Sequence, residues 1–439
     1  MKVSSIMNMS DIMRAPLSQP LSRPISSRLH LSLSLPLVLC LSLLLALSSC
    51  QTQEQKQIRA FEQGVEQIRQ KLDNVGLAVV LVKNNHIVYS QVFGYKSIDG
   101  QGYTDQPSTE PIPLKRDDLF RIASISKSFT TVGLLQQVEL GRLSLTDDVS
   151  DLIGFRIRNP FFPDTVITLE MLLSHTSSLS DKEGYFNLNV INPETNPNAD
   201  SCFNRYAPGC GYEYCNLNLN LSGAILERVS GERFDDYIHN HILQPLGLYG
   251  GYNIDSLDLS RLVNLYYVMP GGEKEWAQDA YVSPAKRLVN YRMGYDTPVF
   301  SPTGGMKLSA ESLARWMTVH MNYGTTPDGI RLISEEHARD MQQPRSDDEH
   351  YGLTLWLSDL YSPGTTLVGH TGGAYGMRSA MFFNPEKKYG FVVISNGALE
   401  TPEEEAVMTD PSGSTSEIET ILTSTLRLMY LTFINDDKQ

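Results

Sequence analysis

Two strand–turn–strand patterns, one near each end of the chain, constrain the fold more than any other feature. The first is Val75-Gly76-Leu77-Ala78-Val79-Val80-Leu81-Val82, then the polar link Lys83-Asn84-Asn85-His86, then Ile87-Val88-Tyr89-Ser90-Gln91-Val92-Phe93-Gly94. The second is Ser379–Phe383, the turn Asn384-Pro385-Glu386-Lys387-Lys388, and Tyr389–Ser395. β-Branched and aromatic runs around a short polar link read as hairpins. Between them the chain reads as helices and long loops, with Gly141, Gly231 and Gly247 where helices should stop. Helices also flank the strands: Ile58, Phe61, Val65, Ile68 and Leu72 recur at helical spacing, and a last helix is expected from about Glu417 to Phe433, after an acidic loop, Thr401–Ser416. The expectation is an α/β fold of the α+β type, a mainly antiparallel sheet built from both chain ends and flanked by helices. Residues 58–122 and 303–439 would form the sheet part, and residues 123–302 an inserted, mostly helical part. No internal repeat is visible.

The chain has 439 residues, 41% hydrophobic and 20% charged, which is ordinary globular composition and excludes collagen-like, disordered and disulfide-scaffold chains. The formal charge is −14, from 36 basic and 50 acidic residues. No basic stripe is available to neutralise phosphates, so nucleic acid is not expected as a partner.

The N-terminal segment departs from that average. Leu29–Leu47 carries no charge and is mostly Leu, broken by Ser32, Ser34, Pro36 and Ser42. Lys2, Arg14, Arg23 and Arg28 precede it, and Leu47-Ser48-Ser49-Cys50 follows. A basic start, an apolar centre and a small-residue exit make a secretory signal; the serines and the proline speak against a transmembrane helix. The exit resembles the lipobox of bacterial lipoproteins, which implies removal of residues 1–49, a lipid on Cys50 and a tether over residues 50–57. The expected place is the bacterial cell envelope, and Gln51 after the cysteine points to an outer membrane. Met7, Met9 and Met13 are alternative starts. Removing residues 1–49 takes away four basic residues and one acidic, leaving 32 against 49 and a net of −17 over 390 residues.

Three short motifs carry chemistry. In Phe120-Arg121-Ile122-Ala123-Ser124-Ile125-Ser126-Lys127, followed by Phe129, Val132, Leu135 and Val138, a Ser–x–x–Lys pair opens a helix. That spacing puts both side chains on one face, one turn apart. The helix start adds backbone N–H donors for a developing oxyanion, and a nearby amine can deprotonate a serine hydroxyl. The tetrapeptide alone is weak, since Ser283-Pro284-Ala285-Lys286 repeats it without the helical sequel. The second motif is Tyr214-Cys215-Asn216, with a look-alike at Tyr185-Phe186-Asn187. The third is Gly369-His370-Thr371-Gly372-Gly373, just before the closing hairpin, where small residues would let a substrate backbone lie against a strand edge.

These motifs, in this order, resemble the family of serine β-lactamases and penicillin-recognising enzymes, most closely its class C branch with D-alanyl-D-alanine carboxypeptidases, D-aminopeptidases and esterases. Supporting segments are Glu139–Asp148, Leu172-Leu173-Ser174-His175-Thr176-Ser177, Gln244-Pro245-Leu246-Gly247, Ser301-Pro302-Thr303-Gly304-Gly305 and Tyr351-Gly352-Leu353. The resemblance runs from about residue 58 to the end. It implies a β-lactamase/transpeptidase-like fold with the active site between the two parts. It implies Ser124 as the acylated nucleophile, Lys127 as its partner and Tyr214 as general base, though the roles of Lys and Tyr are disputed for such sites. Asn216 would bind Lys127 and substrate. The backbone N–H groups of Ser124 and Gly373 would form the oxyanion hole, with Thr371 and Gly372 beside the substrate. His370 stands where the lactamases carry Lys, which lowers the expectation of efficient β-lactam hydrolysis. No cofactor or metal is required.

The implied activity is hydrolysis through an acyl-enzyme, with a D-amino-acid peptide of the cell wall as the favoured substrate. A carboxylesterase and a weak β-lactamase stay open, as does a non-catalytic lipoprotein that keeps the fold for binding. Cys215 and Ser178 depart from the family pattern, standing where serine and glycine are usual. The loop Asp181–Gly211 should lie near the site. A Cys202–Cys210 disulfide is expected, with Cys215 a buried small hydrophobe. His239 and His241, about 200° apart on a helix over Phe234–Leu243, read as surface residues.

Overall fold

The structure is a computed structural model that describes residues 52–435, except 101, 104–108, 270, 347–348, 363 and 400–419. The leader, Cys50, the acidic loop and Glu417 lie outside the described residues. The chain divides into Met1–Lys56 and Gln57–Gln439, and the sheet and the site belong to the second unit.

Helix α1 (Gln53–Lys71) leads into strands β1 (Gly76–Lys83) and β2 (His86–Ser97). Their link is tighter than the polar run suggested. Asn84 and Asn85 both take positive φ, 49° and 68°, and Lys83 pairs with His86. This is a two-residue turn whose twist suits an antiparallel hairpin. Short strands β3 (Ile112–Pro113) and β4 (Phe120–Arg121) follow, then helices α2 (Lys127–Glu139) and α3 (Asn216–Ser230). Strands β5 (Gly250–Gly251), β6 (Tyr266–Val268), β7 (Lys274–Trp276) and β8 (Lys307–Leu308) are also short, and α4 (Ala310–Met321) comes next. The last elements are β9 (Trp356–Ser358), β10 (Leu367–Ala374), β11 (Met377–Asn384), β12 (Tyr389–Ser395), β13 (Gly397–Leu399) and α5 (Ile421–Phe433).

The main sheet is antiparallel, in the order β3-β2-β1-β12-β11-β10-β9. The two ends of the chain meet at β1 and β12, from Leu77 opposite Ser395 to Lys83 opposite Tyr389. The continuous apolar run of β1 follows from burial on both faces. Ala78, Val80 and Val82 join a core with Val392, Ile394 and Trp316 of α4. Leu77, Val79 and Leu81 face the other way, against Phe61 and Val65 of α1 and Leu426 and Met429 of α5. Each Val, Leu, Ile, Phe or Met among them contributes roughly 1.5–3 kcal/mol on burial.

Helix α2 is apolar or small around most of its girth, which marks a helix buried on all sides. Phe129 stacks on Trp316 at 3.9 Å between ring centres. A Gly inside a helix costs about 1 kcal/mol. Gly133 is tolerated because a Cβ there would stand 2.9 Å from Leu226 of α3 and 3.2 Å from Tyr237. The predicted helix stops hold, since Gly141, Gly231 and Gly247 take φ of 68°, 74° and 63°. The stretch expected as one helix over Phe234–Leu243 is interrupted, because His239–Leu243 form a π-helical turn. His239 and His241 are exposed there, and His241 pairs with Glu232 at 2.7 Å.

Candidate active site

Three separate elements converge on Ser124. Strand β4 pairs with β8, and Ile122 donates its N–H to the Met306 carbonyl at 3.0 Å, fixing the chain just ahead of Ser124. Ala123 then takes φ of +45°, a left-handed conformation costly for a residue with a Cβ. A single 3₁₀ turn, Ala123–Ser126, carries Ser124 to the mouth of α2 and leaves it partly exposed. Strand β10 lies directly against this turn. A Cβ on Gly372 would meet the Ile122 carbonyl at 2.5 Å and the Ala123 Cβ at 3.1 Å, so only glycine fits. Ser379 Oγ ties the two together by donating to the Ile122 carbonyl at 2.9 Å. Strand β9 pairs with β10 only at Leu367–Gly369, which leaves the edge from Thr371 to Gly373 open beside Ser124.

Lys127 is fully buried, and its three ammonium protons have three acceptors. Nζ lies 3.0 Å from Ser124 Oγ, 2.9 Å from Asn216 Oδ1 and 3.0 Å from the Thr303 carbonyl. Burial pulls its pKa down from the usual lysine range to about 7, with the charge of Asp181 holding it up against that fall. Nζ also sits 4.8 Å above the ring of Tyr214. Burial raises the Tyr214 phenol, and a hydrogen bond with Ser124 works in the opposite direction. Tyr214 is therefore a neutral phenol at pH 7, next to an amine that titrates there.

Asn216 is held by a residue that sequence reasoning placed only at the start of a loop. Asp181 accepts from Asn216 Nδ2 at 2.9 Å, from the backbone N–H of Asn216 at 2.8 Å and from that of Leu217 at 2.9 Å. It caps α3 from 35 residues upstream, supplying the carboxylate that a helix N-terminus prefers. Cys215 donates its thiol to the same carboxylate at 3.2 Å. Asn216 Oδ1 thus faces Lys127 and accepts from Thr303 Oγ1 at 2.7 Å. Nothing in the spacing of Asp181 announced this, although an acid in a loop expected near the site was a cue.

Other expected residues find different places. His370 is buried, with Nε2 3.1 Å from the Tyr351 hydroxyl, Nδ1 donating to the Thr371 carbonyl, and its ring stacked on Trp356 at 4.6 Å. Burial, then Lys127, lowers its pKa to about 3, against the effect of the Thr371 carbonyl. The ring is therefore neutral, with both nitrogens engaged. It packs the wall behind Tyr214, 6.1 Å away. His175 supports the same wall, 4.4 Å from the Tyr214 ring, and accepts from the Cys215 N–H at 3.2 Å. The Tyr185 look-alike makes no such arrangement, and Ser283 and Lys286 are exposed.

Ser178 shows why glycine is usual there, because its φ is +65°. The serine is compensated by a hydrogen bond from Asn159 Nδ2 at 2.9 Å. The expected Cys202–Cys210 disulfide is absent. Cys202 is buried and donates to the Val190 carbonyl at 3.4 Å, while Cys210 is exposed on a turn. Cys215 is buried, as expected.

Residues 61–408 match the Beta-lactamase family. The chain belongs to that family. Similar proteins include Protein flp of Staphylococcus aureus (strain MRSA252), 25% identical over 337 residues, covering 76% of this chain and 61% of the relative. The chain therefore spans about three-fifths of the length of that relative. Penicillin-binding protein 4 of Amycolatopsis lactamdurans is 25% identical over 308 residues, covering 66% of this chain and 75% of that protein. Among solved structures, the octameric penicillin-binding protein homologue from Pyrococcus abyssi superposes with a TM-score of 0.60 at 22% identity, covering 81% of this chain and 78% of that one. The D-amino acid amidase from Ochrobactrum anthropi SV3 gives 0.59 at 17% identity, covering 85% and 99%. EstCE1, a hydrolase with promiscuous acyltransferase activity, gives 0.61 at 19%, covering 85% and 99%. These likenesses establish the fold.

Proposed function

We propose that this chain is a serine hydrolase that cleaves amide bonds of D-amino-acid peptides through an acyl-enzyme on Ser124. The observation that carries the reading is the 3.0 Å contact between Ser124 Oγ and a buried amine that titrates near pH 7. A base of that strength is matched to its task, and positioned proton transfer typically contributes about 10²–10⁴-fold. In this reading the order of proton acceptors expected from the resemblance is reversed. Ser124 Oγ attacks the carbonyl carbon and its proton passes to Lys127. As the C–N bond breaks, the Tyr214 phenol protonates the leaving amine and is restored from Lys127. Water then attacks the ester, the carboxylic acid leaves, and Ser124 regains its proton.

The open edge of β10 beside Ser124 supports an oxyanion hole made of the Ser124 and Gly373 N–H groups, worth about 10²–10³-fold per donor in comparable sites. The preference for D-amino-acid amides rests on the likeness to a penicillin-binding protein and to a D-amino acid amidase. Ester cleavage is the second reading, favoured by the likeness to EstCE1. Intact-protein mass spectrometry after a fluorophosphonate, penicillin and a short-chain ester, with Ser124→Ala as control, tests the proposal. An adduct on the native chain only is expected; no adduct with any reagent would sink the enzyme reading. We also propose the lipid anchor on Cys50. A clickable fatty-acid label should appear on the native chain and vanish in Cys50→Ala; a label that persists overturns it.

A further inference from the structure

Beside the nucleophile lies a cavity of about 250 Å³ that the mechanism does not use. Arg121, Arg287 and Lys307 line it, with Asp279 as its one lining carboxylate. Among the described residues none of the three cations forms an ion pair, in a chain whose net charge is −14. Arg121 spends Nε on the Gly304 carbonyl at 2.9 Å and Nη1 on the Ala280 carbonyl at 2.8 Å. Among the described residues its Nη2 has no hydrogen-bond partner, and its guanidinium is held 4.9 Å above the Tyr375 ring. Lys307 is 4% exposed, and among the described residues its amine donates only to the Tyr252 carbonyl, at 2.5 Å. Arg287 is brought to the rim by the short helix Ala285–Leu288, which also carries Lys286 of the second Ser–x–x–Lys copy.

Such a cluster is costly as it stands. Burial, then Arg121 and Arg287, pushes the Lys307 amine far below the ordinary lysine range. Basic groups gathered in a cavity without a carboxylate partner mark a candidate functional site. Position adds to this. Arg121 is three residues before Ser124, so their Cα atoms lie within about 11 Å. Tyr375 comes two residues after Gly373. Ser301 and Gly305 line the cavity from the loop whose Thr303 carbonyl holds Lys127.

We infer that this cavity is an anion subsite that receives a carboxylate carried by the substrate away from the bond being cleaved. Planar guanidinium groups suit a carboxylate, since they can offer paired N–H donors. The role in substrate choice rests on the acyl-transfer reading above, whereas anion binding itself does not.

The test has a binding arm and a kinetic arm. Calorimetry with glutarate and with glutaramide reads the site directly. Glutarate should bind about tenfold tighter or better, and Arg287→Gln and Lys307→Gln should each remove most of that preference. Arg287 is exposed and has no described partner, so its variant folds even if Lys307→Gln does not. Two p-nitrophenyl esters of equal length, one ending in carboxylate and one in carboxamide, give the kinetic arm. Their kcat/KM ratio should fall about tenfold in Arg287→Gln. Equal binding of the two probes, or a preference that survives in Arg287→Gln, overturns the subsite. Glutarate binding without turnover of either ester leaves the subsite standing and removes the hydrolase mechanism. Turnover without any carboxylate preference does the reverse.

Discussion

Ser124–Lys127 and Ser283–Lys286 share one spacing and differ in everything around them. In the first copy the lysine is fully buried, at the head of a thirteen-residue helix enclosed by α3, α4 and the sheet. In the second both side chains are exposed, Lys286 on a helix of four residues and Ser283 ahead of it, where its Oγ donates to Asp255 at 2.8 Å. The comparison separates what spacing supplies from what burial supplies. Spacing brings a hydroxyl and an amine onto one face; burial turns the amine into a base near pH 7. Only the first copy has both, together with a phenol, an amide and an open strand edge.

The largest expected effect comes from removing the hydroxyl in each copy. Ser124→Ala should lower kcat/KM by at least about 10⁴-fold, as loss of a nucleophile does in other serine hydrolases, while Ser283→Ala should stay within about twofold. Lys127→Met should cost about 10²–10⁴-fold in the rate of Ser124 acylation, and Lys286→Met nothing measurable. A large loss in either variant of the second copy would break the comparison.

Asp181 sharpens it. Asp181→Asn keeps the shape and removes the charge that holds the Lys127 amine up. The Lys127 pKa should therefore fall below 7, and the acid limb of kcat/KM should move to lower pH. Loss of a charge-assisted cap of this kind also costs about 1–2 kcal/mol, read by thermal unfolding. An acid limb that stays in place would mean that Asp181 acts on α3 alone. The smallest effects concern packing. Gly133→Ala should destabilise by about 1–3 kcal/mol through overpacking against Leu226, whereas Ser283→Ala should lie within about 0.5 kcal/mol of the native chain.

Much of this was legible in the residues. The β-branched runs predicted both hairpins, and continuous apolarity in Val75–Val82 reflected burial on two faces. Three motifs brought Ser124, Lys127, Tyr214, Asn216 and Gly373 to one place. What was not legible depended on contacts between residues far apart in the chain. Asp181 has no periodicity or motif to mark it, and its function as a cap exists only once α3 is folded beneath it. The motif around His370 likewise did not announce its surroundings, an aromatic wall of Trp356, Tyr351 and Tyr214 where a charge would be costly. The cysteine pairing failed because proximity in sequence did not fix direction: one thiol turns inward to a carbonyl and the other faces solvent. Arg121 was read as part of the motif around Ser124, and its unspent Nη2 became visible only beside Lys307.

The central claim is that burial makes Lys127 the base for Ser124. The rate of Ser124 labelling by a fluorophosphonate, followed against pH in the native chain and in Lys127→Met, tests it most directly. The account predicts a rise with a midpoint near 7 that is lost in the variant. A native profile that keeps climbing to about pH 10, as an ordinary lysine or phenol would give, would contradict it.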